Sequence, residues 1–232
     1  MKSYRKTATL VGSAYLFSNI TFILGTIVLV ESILSSPNYL NLISANRAQV
    51  VLGVLFSFAN GLAYVGIATL LFPILKPRFE SLALAYVGFR VVEFFTQILA
   101  DVSPLALLTL AGSTNQIGIA QELGTLLLAG RFWAFQMLNL IFSFSALLLY
   151  FMVFRARLIP GFISIWGLIA ATLVLFNTVL GWFNPELGET LGMVTGLPML
   201  LNEVFLGLWL IFRGFNPSSP AIESARQLAT EV

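Results

Sequence analysis

The chain has 232 residues, of which 58% are hydrophobic and 9% charged, and its net charge is +2 at neutral pH. Soluble domains carry roughly a quarter charged residues, so this composition indicates a polytopic α-helical membrane protein. The chain contains no Cys and no His. These absences exclude disulfides, thiolate nucleophiles, imidazole bases, the usual haem ligand and most zinc sites.

Six apolar segments follow the short basic head MKSYRK. Each can cross a hydrocarbon core of about 30 Å as a helix. The first exceeds the apolar core of a secretory signal peptide, so we expect it to be retained. The third is long enough to tilt, or to break at Pro104. The approximate bounds of the predicted spans are residues 8–30, 50–75, 81–110, 131–154, 161–183 and 196–212.

Lysine and arginine predict the orientation of these spans. With the N-terminus inside, Arg47 and Arg131 fall outside and Arg90 lies within a span, while the other basic residues are cytoplasmic, as the positive-inside rule requires. We predict an all-α, six-helix transmembrane domain over residues 1–214 and a polar cytoplasmic tail over 215–232. Both termini are then cytoplasmic, in the inner or plasma membrane. The predicted cytoplasmic residues are Lys2, Arg5, Lys6, Lys76, Arg78, Arg155, Arg157, Arg213 and Arg226.

The connections between the spans differ in character. The inner turns, at residues 76–80 and 155–161, are short. Among the outer connections, residues 35–49 can hold an interfacial helix. Residues 117–130 are either interfacial or re-entrant, and the sequence leaves that choice open. Residues 184–196 are acidic and glycine-rich and predict a loop.

The segment Glu80–Asp101 places polar and charged residues inside an apolar span. Arg90 lies roughly 14 Å from the cytoplasmic end, near the membrane centre, where an arginine costs about 2.5–3.5 kcal/mol. Glu93, one turn away on the same face, can neutralise it. At about 100° per residue, five polar residues share one stripe roughly 80° wide. They are Tyr86, Arg90, Glu93, Gln97 and Asp101.

A further acid, Glu203, lies in the sixth span at about the depth of Arg90. We predict an Arg90–Glu93–Glu203 cluster that joins the third and sixth spans. Gly196, Gly207 and Gly214 near the face of Glu203 indicate close helix packing there. Because two acids face one base, one carboxyl is expected to be protonated unless another cation is present. The cluster is either a structural lock or a site for a proton, an ion or a polar ligand.

Every predicted span carries an amide side chain. They can bond helices together or line a polar cavity. Asp101 lies near the outer boundary and can be solvated there, and Arg131 with Trp133 resembles an interface anchor. The amides are Asn19, Asn60, Gln97, Asn139, Asn177 and Asn202. The candidate cluster is Arg90, Glu93, Gln97, Asn202 and Glu203, with Tyr86, Asp101, Asn60 and Asn139 as contributors; no catalytic residue and no metal ligand is predicted.

Three sequence features together resemble a bacterial integral-membrane family, the domain of unknown function numbered four-three-eight-six. They are FRVVE at residues 89–93, the connection LLLYFMVFRARLIPGFISIWGL at 147–168, and a last span with Pro198, Glu203 and LWLIFRG. Family members often have Gly where this chain has Asn202, and a histidine early in the fourth span, where this chain has none. The missing histidine argues against a metal or haem role. The resemblance implies six spans and a membrane location, and no established activity.

Two functions from different classes remain. The leading hypothesis is a non-catalytic membrane protein that binds or moves a small lipophilic or ionic ligand, or serves as an accessory subunit. The alternative is an intramembrane enzyme that uses Glu93 or Glu203 as acid–base residue on a lipid-like substrate. Without His, Cys or an intramembrane Lys, no cofactor is predicted, although a lipid or pigment can still bind. Expected partners are the lipid bilayer and subunits of a membrane complex, and no nucleic acid.

Overall fold

The computed structural model describes residues 2–113 and 117–230, and every regular element in those ranges is helical. Residues 114–116 of an outer connection and 231–232 of the tail lie outside the described residues. The elements are α1 (Lys2–Phe22), a π-helical segment (Ile23–Glu31), α2 (Ser32–Leu34), α3 (Tyr39–Ala45), α4 (Arg47–Ser113), α5 (Ile117–Arg155), α6 (Gly161–Phe183), α7 (Pro185–Phe212) and α8 (Pro220–Thr230).

Within residues 2–113 and 117–230, five helical stretches are long and apolar enough to cross a membrane. This confirms the prediction of an all-helical membrane protein. The first combines α1 with the π-helical segment and α2, and the others lie in α4, α5, α6 and α7. Their bounds are Tyr4–Leu34, Arg47–Gly112, Gly118–Arg155, Gly161–Phe183 and Pro185–Phe212.

Helix α4 contains both the second and the third predicted spans. Its 67 residues are interrupted at Phe79, whose φ of −139° and ψ of 48° are not helical. The predicted inner turn at 76–80 is therefore a bend centred on one residue. Pro104 does not break the helix, because a proline that removes one helical hydrogen bond is tolerated where neighbouring groups compensate.

The prediction of a loop at 184–196 is wrong, because these residues form the first turns of α7. Asn184 caps the helix: its side-chain Oδ1 accepts a hydrogen bond of 3.2 Å from the backbone N–H of Leu187. Pro185 follows at the first helical position, where its missing N–H costs nothing. Gly181 and Gly188 let α6 and α7 approach, since a Cβ on Gly188 would lie 2.5 Å from Gly181 Cα.

Residues 117–130 form neither a separate interfacial helix nor a re-entrant segment. They are the N-terminal part of α5, which continues unbroken for 39 residues. The outer connection at 35–49 does contain a short helix, α3.

The chain forms two compact units. The first unit comprises Met1–Phe17, Ala63–Glu93 and Asn139–Val232. In this unit α7 packs closely on α1, because a Cβ on Gly12 would lie 2.5 Å from the carbonyl oxygen of Gly207. The predicted close packing around Gly207 is thus found against the first helix. Gly196 has no neighbour within 4 Å of its would-be Cβ, so it makes no such contact.

The C-terminal segment belongs to the first unit. Asn216 donates from its backbone N–H to the carbonyl of Leu158 at 2.9 Å. Ser219 Oγ donates to the carbonyl of Ala156 at 2.7 Å. Ala221 and Ile222 of α8 are buried. The residues predicted as a polar tail therefore include a helix that packs on the connection between α5 and α6.

The second unit comprises Ser18–Leu62 and Phe94–Leu138. It contains the π-helical segment, in which hydrogen bonds join residues five apart instead of four. Gly25 of this segment lies against α4, since its would-be Cβ falls 2.7 Å from the carbonyl oxygen of Gly53. The buried apolar core of the unit consists of Val30, Ile33, Leu34, Ile43, Val50, Leu107 and Leu108.

Candidate functional site

Arg90 and Glu93 form a buried ion pair in the first unit. Arg90 Nη1 donates to both carboxylate oxygens of Glu93, at 3.0 and 3.1 Å. The two residues are 3% and 2% exposed. Their spacing of three residues puts them on one face of α4, so the sequence prediction of this pair is met. A second donor, Ser145 Oγ on α5, lies 3.3 Å from Glu93 Oε2.

Aromatic rings surround the guanidinium of Arg90. The centroids of Tyr64, Tyr86 and Phe142 lie 5.5, 5.5 and 5.4 Å from Arg90 Cζ. Cation–π attraction at such distances amounts to about 2 kcal/mol or more where water is excluded. Arg90 Nε, by contrast, is buried with no hydrogen-bond partner among the described residues. The aromatic rings therefore supply part of the stabilisation of the Arg90 guanidinium that a hydrogen bond to Nε would otherwise give.

Glu203 on α7 lies close enough to interact electrostatically with this pair, while its direct contact with Arg90 and Glu93 stays a prediction. It is partly buried, and its charge acts on both Arg90 and Glu93. Tyr15 of α1 and Tyr150 of α5 also lie within reach of the Glu203 charge. We call this group the tyrosine cluster, defined as Arg90, Glu93 and Glu203 with Tyr15, Tyr64, Tyr86, Phe142, Ser145 and Tyr150.

Tyr150 is the most tightly constrained aromatic of the tyrosine cluster. It is 1% exposed, and its Oη has no hydrogen-bond partner among the described residues. Gly167 of α6 leaves room for its ring, because a Cβ at that position would overlap Tyr150 Cε1. A glycine on one helix thus positions an aromatic side chain from another.

Gln97 and Asp101, the rest of the predicted stripe, take part in a different cluster in the second unit. Gln97 Nε2 donates to Ser57 Oγ at 2.5 Å. Ser57 Oγ donates in turn to Asp101 Oδ2 at 2.5 Å. Gln97 and Asp101, which the sequence offers as a candidate site residue and a contributor beside Arg90 and Glu93, therefore form hydrogen bonds within this second cluster. The expectation of a solvated Asp101 is also wrong, because this residue is 6% exposed.

Arg131 is the centre of that second cluster. Its Nε and Nη2 donate to Glu31 Oε1 at 3.2 and 3.0 Å. Its Nη1 donates to the carbonyl of Ala100 at 3.0 Å and lies 3.5 Å from Asp101 Oδ1. Arg131 is 3% exposed, so it is no interface anchor. The arginine cluster, as we call it, consists of Arg131, Glu31, Asp101, Ser57 and Gln97.

The three predicted asparagines lie apart from these contacts. Asn202 is fully buried and donates from Nδ2 to the carbonyl of Ile163 at 3.0 Å, which bonds α7 to α6. Asn60 Oδ1 accepts from Ser18 Oγ at 2.5 Å in the second unit. Asn139 is half-buried, and its carbonyl accepts from Ser143 Oγ at 2.7 Å. Asn60 and Asn202 thus each form a hydrogen bond between two helices.

The positions of the acidic side chains also indicate whether a metal ion could bind. Within residues 2–113 and 117–230, no group of three or more Asp, Glu, His or Cys side chains could hold a metal ion. The expectation that the chain works without a cofactor stays a prediction.

Sequence reasoning missed the residues that the other helices contribute. Tyr15, Tyr64 and Tyr150 stand in apolar runs, where a tyrosine is typical of core packing. A usable signal was present for the arginine cluster, because Glu31, Asp101 and Arg131 each lie near the outer end of a predicted span. The similar depth of these three residues predicts that they meet, by the same argument that pairs Arg90 with Glu203.

The chain was compared with known proteins. The family described as Domain of unknown function (DUF4386) matches residues 10–214. No curated protein and no solved structure matches the chain.

Proposed function

Because the chain belongs to the DUF4386 family, whose description names no activity, we propose a function from the geometry of its own residues. We propose a non-catalytic membrane protein that binds and moves a small ion, the proton, at the tyrosine cluster. One observation carries the proposal: Arg90 and Glu93 form a buried ion pair inside an apolar helix, and the partly buried carboxyl of Glu203 on α7 interacts electrostatically with both.

The first part of the proposal is six membrane crossings with both termini cytoplasmic. The bend at Phe79 supports it, because residues before and after the bend meet again. Tyr64 and Arg90 do so in the first unit, as do Ser57 and Asp101 in the second. The segments before and after the bend therefore lie side by side, so we infer that α4 crosses the membrane twice. The distribution of lysine and arginine favours the cytoplasmic side for the bend and for both ends.

The absence of cysteine makes this topology directly testable. A single cysteine in place of Asn38 or Glu189 should react with an impermeant maleimide on intact cells. A cysteine at Glu80 or Ser218 should react only after the membrane is permeabilised. All four positions are exposed in the structure. Labelling of Glu80→Cys from outside would contradict the crossing pattern.

The second part of the proposal concerns the proton. Arg90 and one carboxylate form a neutral pair, and the bidentate contact identifies that carboxylate as Glu93. A second ionised carboxylate would then give the buried cluster a net negative charge, which is costly in a low-dielectric interior. Uptake of one proton removes that charge. Glu203 is the carboxyl on which we expect the proton to exchange, since it is the less buried of the two.

A buried ionisable group in a membrane span is a functional candidate by default. The tyrosine cluster adds polar atoms that a moving proton or ion can use, namely Arg90 Nε and Tyr150 Oη, which have no hydrogen-bond partner among the described residues. A purely structural lock would be expected to satisfy its buried polar atoms.

Proton movement can be measured in vesicles that carry the purified protein and a pH-sensitive dye. With an imposed potential, wild-type protein should acidify or alkalinise the lumen. Glu203→Gln should reduce the rate to that of empty vesicles, because an amide cannot exchange a proton. Glu189→Gln, an exposed acid on the same helix, should keep the wild-type rate.

The alternative of a structural lock gives a different outcome. Under it, wild-type vesicles show no flux above the empty control, and Glu203→Gln changes only thermal stability. That result would overturn the proton proposal while leaving the six-crossing proposal in place, because the labelling experiment tests the crossings independently.

A further inference from the structure

A cavity of about 870 Å³ lies at the ends of three membrane-spanning helices of the first unit. Arg155, the last residue of α5, and Gly161, the first residue of α6, both line it. Arg213, directly after the end of α7, also contributes. The cavity therefore opens where these apolar helices end, at the level where a bilayer presents its headgroups.

Positive charge dominates the lining of this cavity. Its charged residues are Arg78, Arg155, Arg157 and Arg213, and no Asp or Glu is among the described residues that line it. The ion pairs within the described ranges involve Lys76, Arg90 and Arg131 instead. Four guanidinium groups around one space repel one another, and an anion relieves that repulsion. The planar, forked donor geometry of arginine suits phosphate oxygens in particular.

The wall of the cavity is held in place by the C-terminal segment. Asn216 Nδ2 donates to the carbonyl of Arg157 at 3.0 Å, and the backbone N–H of Asn216 donates to Leu158. Arg157 has a φ of +50°, in the left-handed region that a non-glycine residue rarely adopts. Such conformations persist only where the surroundings fix them. The N–H of Leu158 donates to the carbonyl of Val153 at 3.0 Å, which closes the end of α5 through this left-handed residue, and the two Asn216 hydrogen bonds add to the constraint.

The cavity also has an apolar side. Phe154 and Trp209 line it, and Phe154 is 40% exposed. Phe212, at the end of α7, is 73% exposed. A soluble phosphate has no apolar part that could contact these aromatic side chains. A ligand that combines a phosphate with a hydrocarbon chain would use both the arginines and the exposed aromatic side chains.

We propose that this cavity binds the headgroup of an anionic phospholipid. The four arginines contact its phosphate, and its acyl chains lie along the exposed apolar faces of α5 and α7. The site is separate in function from the tyrosine cluster, so it does not depend on proton movement. It requires only that the chain is embedded in a membrane.

The proposal is tested by measuring the thermal unfolding of purified protein in detergent with added phosphatidylglycerol or phosphatidylcholine. Wild-type protein should unfold at a higher temperature with phosphatidylglycerol than with phosphatidylcholine. Arg155→Gln/Arg213→Gln should lose this difference, with an apparent affinity for phosphatidylglycerol weakened about tenfold or more. Neither side chain makes a hydrogen bond or ion pair with the described residues, so the variant removes no such contact.

The control is Arg47→Gln, which neutralises an exposed arginine at the start of α4, outside the cavity. It should keep the full difference between the two lipids. A loss in this control equal to that in the double variant would overturn the proposal in favour of non-specific charge. Equal stabilisation of the wild type by glycerol phosphate would overturn the lipid part and identify a soluble phosphate as the ligand.

A second measurement covers the case in which the double variant does not fold. Native mass spectrometry of wild-type protein from mixed micelles should show phosphatidylglycerol retained in preference to phosphatidylcholine. No preference would contradict the proposal without any substitution.

Discussion

Two arginines are buried to the same extent, at 3% exposure each, yet their surroundings differ. Arg131 in the second unit uses Nε, Nη1 and Nη2 in hydrogen bonds to a carboxylate and a carbonyl, and faces a second carboxylate. Arg90 in the first unit bonds to one carboxylate through Nη1 alone and has three aromatic rings around it. The two arginines are thus equally buried but differ in how many of their guanidinium nitrogens donate the hydrogen bonds described above.

The difference favours a structural role for Arg131 and supports the functional role that we propose for Arg90. A guanidinium with its donors satisfied has one favourable geometry, and breaking it exposes buried groups without partners. Cation–π attraction is less directional than a forked hydrogen bond, so Arg90 can adjust when a neighbour gains or loses charge. We therefore propose that the arginine cluster serves stability, and this contrast supports the proton-binding role proposed for the tyrosine cluster.

The largest effect is expected from Arg131→Met. The substitution leaves the buried carboxylate of Asp101 without its cation, together with the carboxylate of Glu31, whose side chain is 44% exposed, and the cost should be about 4 kcal/mol. An SDS unfolding titration of purified protein measures it. Adding Asp101→Asn should recover part of the loss, because one stranded charge disappears. A loss no greater than that of Arg90→Met would break the comparison.

Arg90→Met should cost less, about 3 kcal/mol, because it strands one directly paired carboxylate instead of two. The pair can be removed as a unit: Arg90→Met/Glu93→Gln should unfold within about 1 kcal/mol of wild type in the same titration. Proton flux should nevertheless be absent in the double variant. If stability is restored and flux persists, the tyrosine cluster is not the site.

Gly167→Ala tests the tyrosine cluster from a distance. The added Cβ overlaps the ring of Tyr150, which is buried and has little room to turn, so we expect a loss of up to about 3 kcal/mol. Gly196→Ala, with open space at its would-be Cβ, should be neutral or slightly stabilising because alanine favours helix. Thermal unfolding of both variants compares them. Equal effects would mean that Tyr150 does not depend on Gly167.

The smallest effects come from a pair of serines, one in each cluster. Ser57→Ala removes a bond of 2.5 Å to Asp101 and the acceptor of Gln97, so it should cost about 2 kcal/mol. Ser145→Ala should cost about 0.5 kcal/mol. The Ser145 hydroxyl has a nearer acceptor in the carbonyl of Phe142, at 2.9 Å, than in Glu93. The reverse order in thermal unfolding would contradict the assignment of roles.

Much of this arrangement follows from sequence alone. The Arg90–Glu93 contact follows from a spacing of three residues in a helix, whereas the contact of Glu203 that matched depth predicts stays a prediction. A helical stripe, however, gives an angle around the axis and says nothing about which helices face it at each level. Gln97 and Asp101 share the stripe of Arg90, yet Gln97 bonds to Ser57, and Asp101 bonds to Ser57 and faces Arg131.

The limits of the helices were harder to predict than their existence. Glycines and acids at residues 184–196 suggested a loop, although Asn184 and Pro185 carried a helix-start signal that outweighed them. The tyrosines were missed because an isolated tyrosine in an apolar run has the same appearance whether it packs or surrounds a cation. Only the assembled helices distinguish the two.

The π-helical segment Ile23–Glu31 has a consequence for tolerance to changes in length. Each π-turn holds one more residue than an α-turn, so this segment contains spare chain. A deletion of one residue within it can be absorbed when a π-turn becomes an α-turn, with Glu31 still presented to Arg131. The same deletion in the regular helix before Arg90 would rotate the side chains on one side of the gap by about 100° relative to the other. The π-helical segment is thus a place where a one-residue deletion can be absorbed without loss of register.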